Sequence, residues 1–259
     1  MKNLSQLEVS RRGLGVEATL FFIPDFSVGE SFYGLIKDFV FYLPGYQPQT
    51  WATDFSEERN LSLIDLRSIA RQEWSLLHWT RSASPSGTGS FSKRHVRLSG
   101  PEHLSHRLLL SVKNNEQMEW FIGYMQYCAA SDGVDFAFCD AAGSRQGVRG
   151  DDNLTSLGGC STATLRTALP DLSWGQIFGK AYVELFGLER MLSCPAYRVE
   201  QLTPDSVYVQ LTKSVFDTFD NAAHVHAIKQ LVKRHLDDNI FYDPNRPKGH
   251  VYRTPQFDL

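Results

Sequence analysis

Asp171-Leu-Ser-Trp-Gly175-Gln-Ile-Phe-Gly-Lys180-Ala-Tyr-Val-Glu-Leu185-Phe-Gly-Leu-Glu-Arg190-Met-Leu-Ser-Cys-Pro195 is the stretch on which the reading of the fold turns. Ser173 stands where a helix cap belongs, and Gln176, three residues on, completes the pattern of a capping box. Ile177, Ala181, Leu185, Leu188 and Leu192 follow at helical spacing and predict one apolar stripe. Phe178, Tyr182 and Phe186 form a second stripe beside it, so the predicted helix is buried on most sides. Pro195 blocks continuation. Gly179 and Gly187 each cost roughly 1 kcal/mol in a helix relative to alanine. That cost implies another backbone approaching closely there.

Outward from this stretch the chain alternates patterns. Glu17–Ile23 reads as a strand ended by Pro24-Asp25, and Ser31–Leu43 as a helix stopped by Pro44-Gly45. Helical spacing of Leu66, Ile69, Ala70, Trp74 and Leu77 predicts a helix over Asp65–Thr80. Ser82–Ser92, rich in serine and glycine, reads as a loop that packs little. Strands are expected at His95–Leu98, His106–Lys113 and Val134–Asp140, with an aromatic helix over Glu116–Cys128. Ala141–Cys160 is a long irregular stretch with five glycines, and such loops inside compact domains are usually functional or disordered. Leu165–Leu169 reads as extended. Arg198–Leu202 and Val207–Thr212 predict a hairpin, and Asn221–Leu236 a helix. Short links between strands favour antiparallel pairing, so the expected class is α+β, with mainly antiparallel sheet and packed helices. One domain over 1–259 is expected, or two lobes divided near 160, about 1–160 and 161–259.

Bulk properties narrow the function. The 259 residues carry 26 Lys+Arg against 29 Asp+Glu, a formal net charge of −3. A dedicated nucleic-acid binder shows a basic balance or patch, so direct nucleic-acid binding is not expected. No apolar run is long enough to span a membrane and the first residues lack an apolar leader core, so the expectation is a cytoplasmic protein without membrane contact. Cys128, Cys139, Cys160 and Cys194 have no metal-type spacing and read as free thiols.

The search for a catalytic constellation excludes several classes. Gly175-Gln-Ile-Phe-Gly179-Lys180 is one residue short of a phosphate loop and lacks the hydroxyl that would hold magnesium; its apolar periodicity also argues against a loop. Ser86-Gly87-Thr88-Gly89-Ser90 has no feeding strand and is no nucleophile elbow. His78-Trp-Thr80 and His103-Leu-Ser105 match the bare His-x-Ser/Thr pairs of two-histidine phosphoesterases. Those pairs must lie on strands facing one cleft, whereas His78 falls in a helix-period stretch and His103 in a turn. His103 and His106, or His224 and His226, lack the further ligands or the geometry for a metal site. No lysine has an acidic residue two positions before it, so the carboxylate–lysine core of a restriction-type nuclease is missing. No cofactor and no metal is expected, and the chain is not expected to be an enzyme.

The pattern Trp174-Gly175-x-x-x-Gly179-Lys180-x-Tyr182-x-x-Leu185-Phe186-Gly187-x-Glu189-Arg190 continues into Pro195, an extended Tyr197-Arg-Val-Glu200 and a Val207-Tyr-Val-Gln-Leu-Thr212 strand. It resembles the bacterial immunity protein 52 family, most firmly from about Trp174 to Pro244. The resemblance implies a partner: a cognate effector toxin of a polymorphic or type VI secretion system, carrying a nuclease domain, which the immunity protein binds and neutralises. The motif residues Trp174, Gly175, Gly179, Lys180, Tyr182, Phe186 and Gly187 read as structural, aromatics at this spacing being usually core. Carboxylates suit the cationic groove of a nuclease, and Asp132, Asp135, Asp140, Asp151 and Asp152, interrupted by Arg145 and Arg149, gather around the glycine-rich stretch. Asp140, Arg145, Arg149, Asp151 and Asp152 are therefore the candidate toxin contacts. Two alternatives stay open: a secretion-system adaptor or chaperone, and an enzyme with an unfamiliar site built on Asp151, Asp152 and a histidine.

Overall fold

The computed structural model describes residues 13–27, 29–54, 56–60, 62–72, 74–93, 101–131, 133–142 and 160–259. The expected strand at His95–Leu98 lies outside these, as does most of Ala141–Cys160. The chain divides into two compact units at Val134/Asp135, Met1–Val134 (with Leu259) and Asp135–Asp258. Each is α+β, and its strands pair antiparallel.

The first unit contains strands β1 (Leu14–Phe22), β2 (Thr50–Thr53), β3 (Leu76–Arg81), β4 (Gly87–Ser92) and β5 (Leu104–Val112). They lie in the order β2-β3-β4-β5-β1. Its helices are α1 (Gly29–Tyr42), α2 (Leu63–Ala70) and α3 (Asn115–Ser131). In α1, Phe32, Leu35, Ile36 and Phe39 repeat at helical spacing and are all buried. Phe39 anchors the core: its ring lies 4.9 Å from Trp79, 4.8 Å from His106 and 5.8 Å from Tyr124. Truncating a phenylalanine so placed costs about 3–5 kcal/mol.

Two expectations fail here, for one reason. The predicted helix Asp65–Thr80 is instead α2, which stops at Ala70, followed by strand β3. The predicted loop Ser82–Ser92 contains strand β4. In β3, Leu77 and Trp79 are buried while Leu76 and His78 are not, the alternation of a half-buried strand. Trp79 faces Gly89 directly across the ladder. A methyl group at Gly89 would stand 2.8 Å from the Trp79 Nε1, and one at Gly87 would stand 3.4 Å from the same indole. The indole of β3 thus fills the space that two glycines of β4 leave empty. Only Phe91 of β4 brings bulk of its own to the core.

The second unit contains most of β6 (Val134–Ala141), then β7 (Gly175–Phe178), β8 (Arg198–Thr203) and β9 (Ser206–Gln210), ordered β6-β7-β9-β8. Its helices are α4 (Thr162–Leu165), α5 (Lys180–Phe186), α6 (Leu188–Leu192), α7 (Asp217–Asp220) and α8 (Ala222–Leu236). The expected extended segment at Leu165–Leu169 is a turn of helix up to Leu165, and Leu169 then bridges to Phe241.

The single helix predicted across Ser173–Leu192 does not form. Residues 175–178 are the strand β7, buried at every position, and two short helices follow. A strand buried on both faces shows no alternation, so its apolar run passes for one side of a helix. The backbone nitrogen of Ser173 donates to Gln176 Oε1 at 3.3 Å, half of the expected capping pair, yet no helix begins there. Gly175 is needed for close approach: an added methyl group would stand 2.9 Å from Cys139 Sγ and 3.2 Å from the Tyr208 hydroxyl. Gly187 serves another purpose. Its φ of +88° breaks the helix between α5 and α6, and no atom lies within 4 Å of where a methyl group would go. The close backbone approach expected there is absent.

Candidate protein-binding face

The residues singled out from sequence are placed differently from one another. Arg145, Arg149, Asp151 and Asp152 lie outside the described residues, as does Asp132. Asp140, near the end of β6, is fully buried. Its Oδ1 accepts from the Ala141 amide at 2.9 Å, and its Oδ2 lies 3.5 Å from Lys229 Nζ on α8. Lys229 also stands 3.8 Å from Asp171, which meets Lys233, one turn further along α8, at 2.5 Å. Two carboxylates and two ammonium groups therefore neutralise one another, Asp140 and both lysines largely hidden from solvent and Asp171 partly exposed, and the Asp140 carboxylate is turned toward Lys229.

Among the motif residues, Trp174, Tyr182 and Phe186 are buried. Trp174 Nε1 donates to Thr212 Oγ1 at 3.0 Å, and Tyr182 packs against Phe136, Phe178 and Phe257. Burial pushes the Tyr182 phenol well above its ordinary pKa. Gly179 turns the chain from β7 into α5, and Lys180 is exposed, 3.1 Å from Asp258 and 3.9 Å from Glu184. The periodicity argument against a phosphate loop does not survive, since strand, glycine and helix do follow one another here. The missing residue and missing hydroxyl still exclude it.

The histidine pairs also need correction. His78-Trp-Thr80 lies on strand β3 rather than in a helix, and His103 and His106 fall in or beside strand β5. Strand placement alone does not bring the two His-x-Ser/Thr pairs together. His78 is level with Ser90, and Ser90 with Arg107, so His103 lies two strands over and four residues along. At ~3.4 Å per residue and ~4.8 Å per strand the α-carbons are about 16–17 Å apart, too far to grip one phosphate. His106 faces the core, stacked 3.8 Å on Phe91, and burial drives its pKa well below the ordinary value. Among the described residues no group of three or more His, Cys, Asp or Glu side chains is placed to hold a metal ion.

A surface not singled out from sequence lies on helices α1 and α3. Phe32, Leu35, Ile36 and Phe39 take the buried side of α1, which turns Phe41 and Tyr42 outward, 60% and 48% exposed. Met118, Phe121, Ile122 and Met125 take the buried side of α3 and leave Glu116, Glu119, Trp120, Gly123 and Tyr127 on the other. Tyr42 and Tyr127 stack with ring centroids 3.8 Å apart and planes 20° apart. The Tyr127 hydroxyl donates to Asp38 Oδ2 at 3.2 Å. Burial first, then Tyr42 and Asp38 beside it, push its pKa up to about 12, so it stays a neutral donor across the physiological range. Trp120, two turns of helix before Tyr127, leans toward Gly45, where a methyl group would stand 3.6 Å from its ring. Four aromatic side chains, two locked against each other, thus line the outer side of a helix pair whose inner side is already filled. Such pre-ordered aromatics lose little entropy on binding and are typical interface anchors. The sequence did carry a signal: residues 41, 120 and 127 fall opposite the apolar stripe of their own helices, where aromatics have no core to enter, and Tyr42 sits at the edge of its stripe, seven residues after Leu35.

Among the described residues no helix is long and apolar enough to cross a membrane. No protein-family model matches the chain, and no curated protein matches it.

Proposed function

We propose that the chain is an immunity protein that binds a cognate secreted nuclease toxin and neutralises it by direct contact. Two things support the reading: the resemblance of the Trp174–Pro244 region to the immunity protein 52 pattern, and the aromatic face of α1 and α3. The observation that carries the contact is the Tyr42–Tyr127 stack beside an outward Phe41. A binder needs rigid aromatic anchors more than it needs a reaction centre. Asp38 accepts from Tyr127, Glu116 and Glu119 are exposed on the helix that carries Trp120, and the exposed Lys37 lies one turn before Phe41; this mainly acidic surround suits a partner whose own surface is cationic, as a nucleic-acid-cleaving domain requires. On this reading the site of action is the cytoplasm of the producing cell.

The test is co-expression with the nuclease-domain protein encoded beside it. Growth is restored, and the two proteins co-purify with a dissociation constant in the nanomolar range or tighter. The Phe41→Ala/Tyr42→Ala double variant loses affinity by about 1,000-fold, on the scale of about 2 kcal/mol per aromatic hot spot. Rescue of growth without any complex would point to an enzymatic antidote and overturn the proposal. Full affinity in the double variant would remove this face from the interface while leaving the function standing.

A further inference from the structure

Lys93 is a buried lysine of the first unit. It follows the last residue of β4, and its backbone nitrogen donates to the Ser75 carbonyl at 2.9 Å, which extends the β3–β4 pairing by one step. That pairing aims the side chain to the same side as Phe91, into the core. Residue exposure is 7%. The Nζ stands 3.9 Å from the centre of the Trp74 ring and 5.5 Å from that of Phe32, and the two rings are themselves in contact at 4.5 Å. Lys93 makes no ion pair among the described residues. Buried lysines are ordinarily matched by a carboxylate; among the described residues this one meets aromatic faces.

Two effects oppose each other here. The ring quadrupoles favour the ammonium form, by about 0.5–2 kcal/mol. Removal from water disfavours it and prevails, bringing the Lys93 pKa down to about 8. An amine so placed has a free electron pair at ordinary pH, which is how apolar surroundings turn a lysine into a nucleophile.

We propose that the Lys93 amine, walled by Trp74 and Phe32, is a site of covalent addition for small aldehydes. The Nζ electron pair attacks the carbonyl carbon, forming the C–N bond, while the carbonyl π pair moves to oxygen and takes a proton from nitrogen. The carbinolamine then loses its hydroxyl together with the second nitrogen proton as water, leaving an imine. Nothing is oxidised or reduced. The small exposure limits the electrophile to a few heavy atoms, and the apolar ring faces beside the amine favour neutral aldehydes over keto acids.

The experiment uses the full chain with propionaldehyde at limiting concentration and cyanoborohydride, which reduces the imine to a stable secondary amine. Peptide mapping then gives the extent of alkylation at each lysine. At pH 7.5 a pKa near 8 instead of 10.5 raises the neutral fraction about two-hundred-fold. Crowding and the lower basicity take back part of that, so Lys93 is expected to react at least ten-fold faster than the exposed Lys37 and Lys248. Its rate should level off just above pH 8. In 8 M urea the preference should vanish. In Lys93→Arg the adduct should be lost, with labelling of Lys37 and Lys248 unchanged. Labelling of Lys93 no faster than that of Lys37, a rate still climbing past pH 10, or a preference that survives urea would overturn the proposal. These readouts need no partner protein and are independent of the immunity reading.

Discussion

Asp140→Asn is the substitution that tests the charged network of the second unit most sharply. Asparagine has the same shape and can still accept from the Ala141 amide, so the change removes a charge and little else. Among the described residues Lys229 then keeps only Asp171, at 3.8 Å, which Lys233 already engages at 2.5 Å. The Lys229 and Lys233 side chains are only 12% and 15% exposed, so one ammonium is left under-compensated with little water to screen it. Breaking a fully buried pair costs about 3–5 kcal/mol. Asp171 retains part of the attraction and is itself partly exposed, which brings the expected loss to about 2–3 kcal/mol. Lys229→Met in the same background removes the orphaned charge and keeps the aliphatic stem. The double variant should therefore recover most of the loss, with a coupling of about 2 kcal/mol in a double-mutant cycle. Urea unfolding of the four proteins, followed by fluorescence, measures it. A cost under about 0.5 kcal/mol for Asp140→Asn, or a double variant no better than the sum of the singles, would show that Asp140 is held by something other than charge pairing.

Four further outcomes follow from the same geometry. Lys93 binds a proton less readily folded than unfolded, so its burial costs stability at neutral pH, and that cost shrinks as pH rises from about 8 toward the unfolded value of 10.5. Lys93→Met should stabilise the protein by about 2–3 kcal/mol at pH 7, the gain falling to about half by pH 9.5; a gain independent of pH would refute the assignment. Gly89→Val should destabilise by about 1–3 kcal/mol, because a side chain there would run into the Arg107 backbone carbonyl of β5 as well as the Trp79 indole, and the loss should appear as quenched or shifted tryptophan emission. Gly187→Ala should cost about 1–3 kcal/mol through its positive φ alone, whereas Gly123→Ala, in the open face of a regular helix, should add roughly 1 kcal/mol; thermal melts decide both. Tyr127→Phe should leave folding within ~1 kcal/mol of the parent and, if the proposed immunity function holds, weaken binding to the toxin, since it removes only the hydroxyl that ties the stacked pair to Asp38.

Three helices could be read directly from the chain. Those at 29–42, 115–131 and 222–236 each have one wet and one dry side, so a 3.6-residue rhythm of apolar residues survives in the sequence. Strands β1, β5, β6, β8 and β9 were legible as well, from runs of β-branched and aromatic residues closed by proline, glycine or a turn. The α+β class followed from the short links between them. None of this depends on which element meets which.

What the chain could not announce was every element whose character is set by a neighbour. Strand β4 reads as a loop because its bulk is lent by Trp79 of the adjacent strand. Strand β7 reads as helix because it is dry on both faces, and that depends on what packs over the sheet, such as Tyr182 and Phe186 of α5 against Phe178. Asp140 reads as a surface carboxylate until Lys229 arrives from a helix 89 residues away. Lys93 has the sequence context of any loop lysine, and only the packing of Trp74 and Phe32 around it changes its chemistry. Local rhythm records how a segment divides between water and protein; it carries no information about which protein atoms complete the other side. That second quantity is long-range, and tertiary structure alone decided it.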